Sequence, residues 1–455
     1  MSNSQSILQN TEVGSIPSHW DVVPFREVCT ESAFGPRFSG NLYSPDGNVA
    51  TLRTTDLDDW GRISYSTMPL AKLDTEKFQK HFLKPGDLVI TRSGTCGRTA
   101  IFENFHVPVV PGAFSIRFRL SSQADNRFFR YYFNSNIGRQ RVIALTTGTV
   151  QPNLTSTALL NLKVPLPPLP EQKAIAHILG TLDDKIELNQ QMNGTLEAIA
   201  RTIFKSWFVD FNPVRAKMDG KQPVGMDAAT ADLFPDEFED SALGKIPKGW
   251  LYKSAQTISN VGIGKTPPRK EPEWFSKSCH DVRWVSIRDM GESGTFISNT
   301  KEYLVPEAIT RFNVRIVPDY TVILSFKLTI GRVALTDGEM TTNEAIAHFK
   351  LSSKSQLSSE YLYLYLKTFD YRGLGNTSSI AEAVNSKIIK AMPILIPNGD
   401  LMEQFTNQVA DIFARIKGNQ RESCTLATIR YTLLPKLLSG EIRIKEAEKI
   451  VEEVA

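Results

Sequence analysis

The sequence is short of most features that announce a function at once. It holds 4 cysteines in 455 residues, Cys29, Cys96, Cys279 and Cys424, and no CxxC pair. Neither a disulfide-stapled secreted scaffold nor a cysteine-held zinc site is therefore expected. The 6 histidines are scattered, and Cys279-His280 is one pair without further metal ligands at the usual spacing. No apolar run approaches the ~20 residues that span a bilayer. The longest, Ile388 to Pro397, is broken by Lys390 and Pro393. The start, MSNSQSILQN, has neither the basic nor the apolar region of a secretion signal. A soluble cytoplasmic chain without membrane association is expected. A surplus of one charge is missing too: 52 Lys and Arg against 49 Asp and Glu leave +3, which does not mark a nucleic-acid binder by bulk charge.

Catalytic motifs are equally scarce. Ser259-Asn-Val-Gly-Ile-Gly-Lys-Thr266 is like the tail of a phosphate-cradling P-loop, but Ser259 replaces the first glycine and Pro267-Pro268 stand where the phosphate-binding helix should begin. Asn212-Pro213-Val214 is the nearest match to the Asn-Pro-Pro-aromatic loop of adenine methyltransferases, and it reads better as a turn. No GxGxxG follows a strand and no HExxH occurs, so no catalytic centre is expected on this chain.

What is present is an ordinary globular composition, 41% hydrophobic and 22% charged, at a length that sets a prior of several domains. Charge is unevenly placed. Arg117, Arg119, Arg127, Arg130, Arg139 and Arg141 interleave with Phe118, Phe128, Phe129, Tyr131 and Tyr132 against the single acid Asp125. Between Asp219 and Asp240 acids dominate, and this Pro- and Ala-containing stretch reads as a linker.

The chain is a tandem repeat. Gly14-Ser-Ile-Pro-Ser-His-Trp20 returns as Gly244-Lys-Ile-Pro-Lys-Gly-Trp250, 230 positions later. Asp56 and Gly61 answer to Asp289 and Gly294; Gly97, Arg98 and Ala100 answer to Gly331, Arg332 and Ala334; Glu171-Gln172 answers to Glu403-Gln404. Such duplication favours pseudo-twofold symmetry. Each half begins with short apolar or alternating runs punctuated by Gly and Pro, which predicts a β-rich domain, and ends in a helix. Ile175, Leu179, Leu182, Ile186, Asn189, Asn193, Leu196, Ala200 and Ile203 follow a four-three spacing, repeated by Phe405, Val409, Ile412, Ile416, Asn419, Ser423, Leu426, Arg430 and Leu433. Two such stripes predict helices paired as an antiparallel coiled coil. Pro170-Glu171 and the Asp400 to Glu403 spacing mark the helix starts, and Pro435 stops or kinks the second helix. Asn189 and Asn419 either face solvent at the seam edge or are buried and fix its register. The fold class is therefore α+β: two tandem β-containing globular domains joined by two long paired helices.

The family emerges at the domain ends. Val164-Pro-Leu-Pro-Pro-Leu-Pro-Glu-Gln172, the helix after it, Phe204-Lys-Ser-Trp-Phe-Val-Asp-Phe-Asn-Pro-Val-Arg215, Leu233-Phe-Pro-Asp-Glu-Phe and the motif at Gly244 together resemble the specificity subunit of type I restriction-modification enzymes. The resemblance covers almost the whole chain, although the second Pro-rich segment is reduced to Pro393-Ile-Leu-Ile-Pro397. It implies two target-recognition domains, each reading half of a bipartite asymmetric site on double-stranded DNA. It also implies docking of two methyltransferase subunits and of endonuclease/translocase subunits, with S-adenosylmethionine, ATP and Mg carried by those partners and no cofactor here. The domains expected are 1–165, first target-recognition domain; 166–215, first helical spacer; 216–243, acidic linker; 244–397, second target-recognition domain; and 398–455, second helical spacer.

Base reading calls for donors and acceptors matched to base edges, and phosphate contacts call for cations and small hydroxyls. The candidate residues are Arg53, Thr54, Thr55, Arg92, Ser93, Thr95, Arg98, Thr147, Thr149 and Gln151 in the first half. In the second they are Ser286, Arg288, Lys327, Thr329, Arg332, Ser378 and Ser379. The repeated Arg98 and Arg332 suit a shared phosphate or structural task, whereas Arg92 and Lys327 differ in type, as readers of different bases would. The aromatic group Phe204, Trp207, Phe208 and Phe211 is a candidate partner surface; alternatively, the rings pack on their own domain. A stand-alone DNA-binding regulator or a coiled-coil scaffold is the alternative to a specificity subunit.

Overall fold

The computed structural model describes residues 8–148, 152–374 and 384–453. It divides into two compact units, one running up to Glu187 and resuming at Cys424, the other Leu188–Ser423. Both are mixed helix and sheet, and they repeat one plan.

Each sequence repeat opens on a tight hairpin, Leu8–Thr11 against Gly14–Pro17 and Phe238–Ser241 against Gly244–Pro247. Gly14 and Gly244 sit at φ +107° and +109°, backbone that a side chain would strain, which is why glycine recurs there. In the first unit a four-stranded sheet follows in the order Cys29–Phe34, Ser115–Leu120, Leu88–Thr91, Thr99–Ile101. The second repeats the order as Ser259–Ile263, Ile346–Leu351, Val322–Ser325, Val333–Thr336, and adds Phe296–Ile297 at the edge. A smaller sheet carries a parallel pair in both, Val49–Leu52 with Val109–Pro111 and Val282–Val285 with Thr341–Thr342. The strands Leu88–Thr91 and Val322–Ser325 are buried on both faces, as their unbroken apolar runs require. The P-loop-like string lies on the strand Ser259–Ile263, with no phosphate-binding helix after it.

Two helices of 40 residues, Leu169–Phe208 and Gly399–Leu438, close the halves. The repeated Glu-Gln pair explains how the first one starts. Glu171 accepts the Trp20 indole N–H at 2.8 Å, and the buried Gln172 amide takes the Asp125 N–H at 2.8 Å while donating to the Pro167 carbonyl at 2.8 Å. The second helix is capped by Asn398, whose side chain accepts from the Leu401 amide at 2.8 Å, rather than by the Asp400 to Glu403 box expected from sequence. Pro435 does not stop it, since the helix runs on to Leu438.

In the first unit Ile175, Leu179, Leu182 and Ile186 share a core with Leu426, Leu433 and Leu437 and with Phe128, Phe129 and Phe133. In the second, Ala200 and Phe204 share a core with Phe405, Val409, Phe413 and Ile416. Asn189 and Asn419 are both buried, so the solvent-facing reading is corrected. Asn189 donates to Glu422 at 2.8 Å and Asn419 to Asn193 at 2.9 Å, so each buried amide has a partner and each pair aligns its two helices at one register.

Two segments of uneven charge are ordered and packed. The acidic stretch 216–243 is not a free linker: Asp227 caps the helix Ala228–Asp232 through the Thr230 amide and hydroxyl at 2.8 and 2.7 Å, and Phe234 is buried. The arginine and aromatic run is largely internal. Arg117 meets Glu31, Arg119 holds Asp87 at 2.8 Å and Arg130 holds Asp183 at 2.9 Å, while the rings fill the core.

Candidate nucleic-acid interface

The two halves build one loop in the same way. After the strand Leu88–Thr91 the chain turns through 92–98, and after Val322–Ser325 through 326–332. In the first, the Thr91 hydroxyl donates to the Thr95 carbonyl and accepts the Arg98 amide at 3.0 Å. In the second, the Ser325 hydroxyl donates to the Thr329 carbonyl at 2.6 Å and accepts the Arg332 amide at 3.1 Å. Gly97 and Gly331, at φ +85° and +91°, close both loops. One hydroxyl satisfying two backbone groups fixes the base of each loop whatever stands at its tip.

The repeated arginines belong to that base. Arg98 donates to the Leu57 carbonyl at 3.0 Å and pairs with Asp59; Arg332 donates to the Ile287 carbonyl at 2.6 Å. Of the two tasks open to them, the geometry supports the structural one. The repeated aspartates act likewise. Asp56 takes the Arg53 amide at 2.8 Å and Asp289 the Ser286 amide at 2.8 Å, each closing a turn after a buried strand. Burial opposes ionisation of Asp56, but hydrogen bonds from Arg53 and Thr67 override it and hold the carboxyl below its ordinary range.

The tips differ. In the first half Arg92 donates to Asn153 at 3.0 Å and lies 4.6 Å from the Phe34 ring centre. Ser93 and Thr147 bridge to Asn153 as well, so the structure brings Arg92, Ser93 and Thr147 to one place, with the exposed Thr95 on the same loop. Thr54 and Thr55 form a short turn with Arg53, whose guanidinium grips Asp56 at 2.8 Å and the Thr67 carbonyl at 2.6 Å. In the second half Lys327 and Thr329 stand on the loop, the half-buried Lys327 with its ammonium 5.7 Å from the Phe326 ring centre. Ser286 caps the helix Ile287–Glu292, and Arg288 on that helix pairs with Glu292 at 3.0 Å. Thr149, Gln151, Ser378 and Ser379 lie outside the described residues.

Phe204, Trp207 and Phe208 are corrected as a partner surface. They are buried in the core of the second unit, Phe204 completely, and Phe208 stacks edge-on against Phe405 and Tyr361 at 4.9 and 5.0 Å. Phe211 is half-buried at φ +54° with its ring 5.9 Å from Trp250. Sequence reading sees four clustered rings but not which neighbours cover them. It also passes over Leu328 at the second loop tip, where the detectable signal is the glycine that occupies the same place in the first copy.

The duplicated domain thus combines a constant loop base with divergent tips. Residues 17–198 and 247–415 match the family described as type I restriction modification DNA specificity domain. The chain is 30% identical over 344 residues to the type I restriction enzyme HindI specificity subunit of Haemophilus influenzae, covering 66% of this chain and 74% of that one. It is 25% identical to the MjaIX specificity subunit of Methanocaldococcus jannaschii, over 96% and 97% of the two chains. The fold is shared with the crystal structure of a type I restriction-modification S subunit from M. genitalium, at a TM-score of 0.51 and 16% identity over 92% of this chain and 96% of that one. The chain belongs to the specificity-subunit family of type I restriction-modification systems.

Proposed function

We propose that this chain selects the DNA site for a type I restriction-modification complex and performs no chemistry itself. Each repeated domain reads one half of a bipartite, asymmetric site, and the two long helices pair as an antiparallel coiled coil that sets the distance between the readers. Two methyltransferase subunits bring S-adenosylmethionine, and endonuclease subunits bring ATP and Mg. The observation that carries this reading is the duplicated loop: the same hydroxyl clamp at Thr91 and Ser325 supports different exposed tips. A constant scaffold with two tips is what reading two different half-sites requires.

The test is reconstitution. Mixed with a methyltransferase subunit of a type I system and S-adenosylmethionine, the chain confers adenine methylation at a single bipartite sequence, read by methylome sequencing. Methylation without it at the same sites, or robust methylation by this chain alone, defeats the proposal. A stand-alone regulator would instead bind its site with no methyltransferase in the complex.

A further inference from the structure

Within the duplicated loop, one position departs from its counterpart in a way the scaffold does not need. Gly94 stands at φ +75°, exposed, with open space where a side chain would go. Its counterpart is Leu328, at φ +63°. The Thr329 amide donates to the Lys327 carbonyl at 2.7 Å, closing a three-residue turn with Leu328 at its centre. A positive φ there is rare and strained for a leucine, which has neither glycine's freedom nor asparagine's tolerance of that region. Among the described residues the side chain gains little by packing, since it is 97% exposed. Its neighbours extend the feature: Ile330 is 39% exposed, and Lys327 stands immediately before it. At the preceding position the chain does the reverse, placing Phe326 in the core where Arg92 stands in the first half.

A strained backbone holding a fully exposed leucine on a hydroxyl-clamped loop is intelligible if the side chain is covered in a complex. Resting on the reading of this loop as a DNA reader, we propose that Leu328 is a specificity-determining residue of the second domain, making the apolar contact that recognises the C5-methyl group of thymine in the major groove. The major-groove edge of thymine offers an acceptor and that methyl group, and the methyl group is what an aliphatic side chain can read. Lys327 supplies the adjacent cation for a base acceptor or a phosphate. Gly94 offers no such contact at the corresponding position of the first domain.

The experiment uses the full chain with its methyltransferase partner and duplexes of its selected site in which each thymine in turn is replaced by deoxyuridine, which lacks only that methyl group. Loss of one buried methyl contact corresponds to about fourfold weaker binding, or ~0.8 kcal/mol at ~1.4 kcal/mol per tenfold. The wild-type complex is expected to show this loss at one thymine. Leu328→Asn, which tolerates positive φ and keeps similar size, and Leu328→Gly, which relieves the strain, are expected to bind both duplexes equally while remaining as stable as the parent. Wild-type binding indifferent to every deoxyuridine, or undiminished deoxyuridine sensitivity in both variants, overturns the assignment while leaving site selection standing. Failure of the complex to select any site overturns the functional reading as well.

Discussion

Asp183 and Arg430 form a buried ion pair in the first unit, Arg430 Nη1 donating to Asp183 Oδ1. The same carboxylate accepts Arg130 Nη2 at 2.9 Å and the Tyr131 hydroxyl at 2.7 Å, and its backbone carbonyl accepts Arg62 at 2.9 Å. The Arg430 guanidinium lies 4.0 Å from the Trp60 ring centre. The repeat offset of 230 carries Asp183 onto Phe413 and Arg430 onto Ala200, both completely buried in the second unit. Two equivalent positions are thus ionic in one unit and a large-small apolar pair in the other. Self-pairing of either helix would set Asp against Ala or Phe against Arg, so the divergence favours the heterotypic pairing.

Removing the acid is expected to cost more than removing the base. Asp183→Ala leaves Arg430 and Arg130 buried without their carboxylate, an expense of about 3–5 kcal/mol. Arg430→Met keeps the buried volume and leaves Asp183 paired with Arg130 and Tyr131, so the loss is smaller. Denaturant unfolding of the two variants checks the order, and equal losses contradict it.

Acid sensitivity follows from the same carboxylate. Desolvation acts to raise its pKa, but Arg430, Arg130 and the Tyr131 hydroxyl override it, so Asp183 is held below its ordinary value near 3.8. A depressed folded pKa gives stability that is full above the unfolded value and is lost as pH falls through the folded one. The wild type should therefore lose stability below about pH 4, and Asp183→Asn should show a shallower acid slope. Parallel slopes between pH 5 and 2 would remove Asp183 as a contributor.

The duplication, both long helices and the helix-end motifs are legible in the sequence because they are local or periodic. Arg430 is visible there as a cation in an apolar stripe. Its partner is not, because Asp183 lies one position off the stripe, Arg130 comes from the helix Asn126–Asn134 and Arg62 from a distant loop. The aromatic group 204–211 misleads for the same reason: ring clustering is local, whereas its cover comes from residues such as Phe405 and Tyr361. Repeated charged residues also divide in two. Asp56, Asp289, Arg98 and Arg332 recur because they hold turns. Positions that read different targets need not recur, and Leu328 is one that does not.

Phe204→Ala should behave as a core truncation rather than an interface change. The ring is wholly buried against Phe208, Tyr361 and Phe405, so the loss is about 3–5 kcal/mol. Thermal unfolding of the second unit should fall sharply. A stable variant with selectively weaker methyltransferase binding would return the ring to the surface.

Lys327→Ala and Arg332→Ala should separate, although they stand five positions apart on one loop. The half-buried Lys327 places its ammonium 5.7 Å from the Phe326 ring centre, so its removal should leave stability nearly unchanged and weaken cognate DNA binding or lower its salt slope. Arg332→Ala strands the Ile287 carbonyl, costing about 1–3 kcal/mol of stability. Titrations at several salt concentrations beside unfolding curves distinguish the two, and a folded, fully stable Arg332→Ala would refute the structural role.

Exchanging the first domain, residues 22–160, for that of a relative should change one half of the methylated site and leave the other intact, because the second unit keeps its own sheet, core and loop. The exchange has a condition that the ion pair imposes. Arg62, Arg130 and Tyr131 lie inside the exchanged segment, whereas Asp183 and Arg430 stay behind on the helices. A donor carrying hydrogen-bonding residues at those three places should yield a folded chain of altered specificity. A donor with apolar residues there leaves Asp183 with Arg430 as its remaining partner and should lose about 1–3 kcal/mol. Methylome sequencing of both chimaeras, with unfolding curves, tests the two claims separately. Change in both half-sites would defeat independent reading, and equal stability of the two chimaeras would show that the domain contacts to Asp183 are dispensable.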